Sequence, residues 1–125
     1  MNIPSNLKYA KSDEWFDPAS GKVGITDFAQ SQLSDIVYVE ILVEEGEELT
    51  VSKPIASVES VKASAEIYAP ASGKVGKINN GVVDKPEIIN SDPYGEAWMI
   101  QIEGATEGDL MDSAAYEADS AGRAH

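Results

Sequence analysis

Residues 36–43 (IVYVEILV) are rich in β-branched and aromatic side chains and run into the acidic string Glu44-Glu45-Gly46-Glu47-Glu48. A run of that kind closed by a Gly-containing polar segment predicts a strand followed by a turn. Shorter apolar runs over 22–25, 55–58, 66–69, 74–78 and 97–102 are separated by Gly, Pro, Asn and Asp, and predict further short strands. Helical periodicity is scarce. Asp27 followed three residues on by Gln30 predicts a capping box and a short helix over 27–33. The segment 106–117 (TEGDLMDSAAYE) opens on a threonine and early acids and spaces Leu110, Met111, Ala114 and Ala115 at helical intervals, which predicts a C-terminal helix. The whole pattern is that of a small, mostly β, antiparallel domain.

An internal echo runs through it. Residues 37–58 read strand, Gly-containing turn, Pro-Ile and strand, and 75–102 repeat that order with a longer excursion, which places Lys62 at the joint. The string SGKVG stands at 20–24 and again at 72–76, a repetition that turn composition alone also favours.

At 125 residues the chain has the size of one domain, expected over 1–118, with a flexible tail over 119–125 of small polar composition. No run approaches the roughly 20 apolar residues of a membrane span, and the opening MNIPSNLKYA lacks the basic-then-apolar order of a secretory leader. A soluble, unexported protein is expected, in the bacterial cytoplasm or, for a matured eukaryotic chain, the mitochondrial matrix. Nine Lys and Arg against 22 Asp and Glu give a net charge of −13, which repels phosphate backbones and anionic lipid. Neither nucleic acid nor a membrane is expected as a partner.

The chain has no cysteine, so it can build no disulfide, zinc–thiolate site or thiol nucleophile. Its only histidine is His125, the last residue, which leaves no basis for a histidine relay or a histidine metal site. The acids around Gly46 lack the order of a calcium loop, and neither SGKVG copy has the spacing of a phosphate loop. Trp15, Trp98, Phe16, Phe28 and Tyr38 are scattered among apolar strand residues and are expected in the core. No spacing singles out a pair of carboxylates for acid–base work.

Lys62 has a more specific setting. It lies in VESVKASAEIYAP (58–70), where 60–64 form a connection between two predicted strands short enough to be a hairpin tip. The ammonium would project into water. On pattern alone it is an ordinary exposed lysine.

The string ESVKA followed by YAPASGKV resembles the lipoyl-attachment hairpin of the glycine cleavage system H-protein family. YAKSDEW (9–15) resembles the family's Y-x-x-x-H-E-W opening, VGITDFAQSQL (23–33) its G-I-T-D-x-A-Q segment, DIVYVE (35–40) its next strand, and NSDPYGEAWM (90–99) its N-x-D-P-Y-G-x-G-W stretch. The resemblance covers 7–117 in the family's order. It implies a barrel-sandwich hybrid of the biotinyl and lipoyl-carrier type with a C-terminal helix added. It also implies that Lys62 carries lipoic acid in amide linkage, with Glu59 as the acid that the lipoate ligase or the lipoyl or octanoyl transferase recognises. Glu14, Ser12 and Glu66 would belong to the cleft where the loaded arm rests, and no catalytic or metal-binding residue is implied.

The function implied is that of a monomeric carrier, not an enzyme. It would shuttle the aminomethyl group from the glycine decarboxylase P-protein to the aminomethyltransferase T-protein and present the dithiol to the dihydrolipoyl dehydrogenase L-protein. The alternatives are an H-like relay that donates lipoate to 2-oxoacid dehydrogenases, and a binding module that is never modified. The sequence departs from the family pattern at Asp13, where the motif has His, and at Ala97, where it has Gly.

Overall fold

Alternation from Ala56 onward organises the middle of the chain. In the strand Pro54–Ser60, Ala56 and Val58 are buried while Ser57 and Glu59 turn outward, so one face meets the core and the other meets water. The computed structural model describes residues 2–123. The strands are β1 (Lys8–Tyr9), β2 (Glu14–Phe16), β3 (Lys22–Ile25), β4 (Ile36–Ile41), β5 (Glu48–Leu49), β6 (Pro54–Ser60), β7 (Ser64–Tyr68), β8 (Ala71–Ile78) and β9 (Ile100–Glu107). The helices are α1 (Asp27–Leu33), α2 (Asn80–Asp84), α3 (Ile88–Ser91) and α4 (Ser113–Arg123).

The strands form a six-stranded sheet in the order β1-β2-β3-β9-β8-β5 and a three-stranded sheet in the order β4-β6-β7. All pairs are antiparallel. Val39, Val58 and Ile67 of the small sheet share one buried cluster with Val23, Ile25, Val75, Ile100 and Ile102 of the large one. Each such side chain contributes about 1.5–3 kcal/mol on leaving water. A second cluster gathers Leu7, Tyr9, Trp15, Phe28 and Tyr116, with the rings of Tyr9 and Tyr116 stacked at 4.8 Å. That cluster is what α4 adds to the sheets.

The mostly β expectation holds, and α1 has the predicted bounds. Its cap differs. Thr26, not Asp27, is the N-cap, its hydroxyl accepting the Ala29 N–H at 3.1 Å, while Gln30 donates to the Asp27 carboxylate in the first turn. The C-terminal helix starts at Ser113 rather than 106, because pairing with Ser72 draws Thr106 into β9; Asp112 takes over as cap by accepting the Ala115 N–H. The segment expected as a tail is in part helical. Residues 119–123 continue α4, with Ser120 buried, and residues 124 and 125, including His125, lie outside the described residues. Of the aromatic residues expected inside, Trp15, Phe16 and Phe28 are buried and Trp98 partly so, but Tyr38 is 49% exposed.

The SGKVG copies take equivalent places on either side of β9. Val23 pairs with Ile100 and Val75 with Ile102, and the first glycine of each copy, Gly21 and Gly73, has positive φ and packs its bare Cα against Ile102. Among the described residues no helix is long and apolar enough to cross a membrane, and no group of three His, Asp or Glu side chains could hold a metal ion.

Candidate functional site

Lys62 stands at the tip of the β6–β7 hairpin, exposed along with Val61 and Ala63. Ser60 sets the turn: its backbone N–H donates to Ala63 O at 2.8 Å, and its hydroxyl oxygen accepts the N–H groups of Lys62 at 3.3 Å and Ala63 at 3.0 Å. The tip is tied sideways as well, since Val61 N–H donates to Asp35 O at 3.0 Å, just ahead of β4. The backbone under Lys62 is thus held on both flanks. Among the described residues the Lys62 ammonium makes no ion pair.

Glu59 lies on the outer face of the small sheet, one step down the hairpin, with Tyr38 and Ser64 as its cross-strand neighbours. All three are exposed. An incoming protein that grips the tip would meet a carboxylate flanked by an aromatic ring.

β7 is an edge strand, and a cleft of 170 Å³ runs beside it. Ala65, Glu66 and Ile67 form one side, Ser12 and Asp13 another, and Ala29, Gln32 and Leu33 of α1 close it. The structure places Ser12 and Glu66 on one cleft, about three residues of strand from Lys62. Glu14 sits behind this wall rather than in it. It has no exposed surface; Ser12 donates its hydroxyl to one carboxylate oxygen at 2.5 Å, and the Tyr68 N–H donates to the other at 3.0 Å. Burial pushes the Glu14 carboxyl up to about 7, against the opposing pull of those two hydrogen bonds.

Sequence reasoning missed the α1 side of the cleft and the polar chain behind it. Asp13, at φ 77°, accepts hydrogen bonds from Tyr116 OH at 2.9 Å and from Arg123 at 2.7 and 3.2 Å, both on α4. The only available hint was the departure at Asp13 itself, since its partners lie more than a hundred residues away.

The sequence model of the family described as glycine cleavage H-protein matches residues 7–121. The chain is 50% identical over 119 residues to the glycine cleavage system H protein of Deinococcus deserti, covering 94% of this chain and 98% of that one. It is 51% identical over 123 residues to the H protein of Oceanobacillus iheyensis, covering 94% and 97%. Among solved structures, a glycine cleavage system H protein from Mycobacterium marinum superposes with a TM-score of 0.89 at 33% identity, over 95% of this chain and 99% of that one. The likeness spans both sheets and bears out the barrel-sandwich expectation.

Proposed function

This chain belongs to the glycine cleavage H-protein family, and we propose that it serves as the lipoyl carrier of that system, with lipoic acid joined to Lys62 through an amide. The observation that carries the reading is the placement of Lys62: a free amine on a rigid, exposed turn, with a cleft beginning three residues down β7. Those three residues span about 10 Å of strand, which an extended lysine-plus-acyl stem exceeds. The donor set fits the group. A primary amine is what acylation needs, and the absence of cysteine leaves the sulfur chemistry to the cofactor.

When bound, lipoate supplies a dithiolane that accepts and releases the aminomethyl group. The chain's own residues supply position. Ser60 and Asp35 hold the base of the arm, so the lipoylating ligase or transferase and the P-, T- and L-proteins each meet the same rigid platform. Glu59 offers the ligase an exposed carboxylate beside the lysine. Ser12, Glu66 and, behind them, Glu14 provide a cleft for a cationic cargo. Burial raises the Glu14 carboxyl to about 7, and a cation in the cleft would favour its ionised form, adding to the acidic side chains of Asp13 and Glu66.

The test is expression with a lipoylating system, intact-mass measurement, and then glycine-dependent CO2 exchange with P-protein. A lipoyl increment on Lys62 with exchange supports the carrier. Modification without exchange turns the reading to a lipoyl relay, and no modification turns it to an unmodified binding module.

A further inference from the structure

Behind the cleft, polar contacts run without a break from α1 to α4. The Ala29 N–H donates to the Thr26 hydroxyl at 3.1 Å, Thr26 Oγ1 lies 2.7 Å from Tyr116 OH, and Tyr116 OH donates to Asp13 Oδ1 at 2.9 Å. Because the Tyr116 hydrogen goes to the carboxylate, Thr26 must donate to Tyr116, and the chain has one direction. Arg123 ends it with a bidentate grip on Asp13. Its guanidinium carbon also lies 5.1 Å from the centre of the Phe28 ring on α1. Asp119, one turn earlier on α4, holds the guanidinium in place at 3.0 Å.

Arg123 thus touches two of the three structures that wall the cleft: the turn of Ser12 and Asp13, and the helix that presents Ala29, Gln32 and Leu33, opposite the β7 side. Within the turn, Ala10 N–H donates to Glu14 O at 2.9 Å and the Ser12 hydroxyl to the Glu14 carboxylate, and Arg123 is the contact that ties it to α1 through a charged side chain. Asp13 adopts a left-handed conformation, and its backbone is held by Asp13 N–H to Ala10 O and by Thr26 N–H to Asp13 O, each at 3.0 Å. We infer that Arg123 is a positioning residue that braces the turn and the α1 wall of the arm cleft against each other. The inference rests on the carrier reading above. It gives Asp13 a role, because a histidine there would leave Arg123 paired only with Asp119 on its own helix and no longer with the turn.

The side chains of Arg123 and Asp13 are 38% and 20% exposed, so salt screens the contact and the brace has modest strength. The informative variants are Arg123→Gln and Asp13→Asn. Asparagine tolerates the left-handed turn and its Oδ1 still accepts from Tyr116, so the variant loses the charge and the second acceptor that faces Arg123, and leaves the rest of the polar chain in place.

The first measurement uses the unmodified protein and amide hydrogen exchange. In either variant the Asp13 and Thr26 amides should exchange about fivefold faster, while amides in the β4–β6 pair keep their rates. The parent in 1 M salt, where the Debye length falls to about 3 Å, should approach the variants. The second uses lipoylated protein loaded by P-protein and glycine, then freed of enzyme. Ammonia release should quicken about fivefold in each single variant and no further in the double variant Asp13→Asn/Arg123→Gln. Unchanged exchange at Asp13 and Thr26, equal acceleration at every amide, or identical ammonia release in parent and variants would each overturn the brace. Failure of the carrier reading is separable, because it appears in the parent as a missing mass increment or as absent loading.

Discussion

The carboxylate of Glu14 in β2 accepts the backbone N–H of Tyr68 in β7 at 3.0 Å, so a side chain of the large sheet satisfies the open edge of the small one. The group is buried, and burial raises its carboxyl from the ordinary 4.5 to about 7, with nearby Asp13 adding to the rise. The folded protein therefore keeps a proton that the unfolded chain loses near pH 4.5. The associated stability is complete below that value and drains away as pH climbs to about 7. In Glu14→Gln the amide oxygen can still accept the Tyr68 N–H and the amide NH2 can donate to Ser12 Oγ, so both contacts can persist, one reversed, in a group that does not titrate. Urea unfolding across this window should show the parent losing on the order of 2–3 kcal/mol relative to the variant. Parallel stability curves would remove the raised carboxyl from the account.

Gly24 in β3 faces the Trp15 indole in β2 so closely that an added Cβ would lie 2.8 Å from the ring nitrogen. The indole cannot retreat, because it is buried and its N–H is spent on Pro93 O at 2.9 Å. Gly24→Ala should cost about 1–3 kcal/mol by overpacking. Lipoylation of Lys62 in the folded fraction should proceed at the parental rate. An unchanged urea midpoint would mean that the pair of strands yields more easily than this contact indicates.

How far the sequence could be read depended on whether a feature was local. The β6–β7 hairpin was legible because alternation, a short connection and a turn serine all lie within 54–68, and α1 because cap and helix are contiguous. Strand ends were misplaced where a distant partner sets them. Thr106 reads as a helix cap until Ser72 pairs with it. β1, β2 and β5, at two or three residues each, are too short to carry a period, and α2 and α3, at five and four residues, show only as the pairs Val82-Val83 and Ile88-Ile89. In the site, Ser12, Glu14 and Glu66 were reached through family resemblance rather than pattern. Arg123 was hidden in what composition presents as a tail, since nothing local shows that α4 continues to meet Asp13.

Lys62→Arg should leave the fold unaltered, with stability within about 0.5 kcal/mol of the parent, because the side chain is exposed and makes no ion pair among the described residues. It should abolish lipoylation, since guanidinium is not the amine nucleophile that acylation requires. Intact mass and a melting curve check both halves. Glycine cleavage retained by this variant would sink the carrier reading.

Glu59→Ala should slow lipoylation several-fold more than its effect on melting would explain, because the carboxylate points outward beside Tyr38 and Ser64 and supports no core contact. Time courses of modification at matched enzyme concentration provide the measure. Equal rates would return Glu59 to the role of a solubilising charge on the sheet face.

Tyr116→Phe tests the polar chain behind the cleft. The ring is fully buried and stacked on Tyr9, and phenylalanine preserves that packing, so the variant deletes one oxygen and little else. That oxygen serves two partners. Without it Thr26 keeps the Ala29 N–H but has no acceptor for its own proton, and Asp13 keeps Arg123 but loses its buried donor. A loss of about 1–2 kcal/mol is expected in urea unfolding. Burial also raises the phenol well above the ordinary tyrosine range, so Tyr116 should stay protonated for as long as the protein is folded. Titrating phenolate absorbance up to about pH 11 should then give superimposable curves for parent and variant. A parent curve larger by one tyrosine would show that the phenol reaches water, and that Asp13 is held by Arg123 alone.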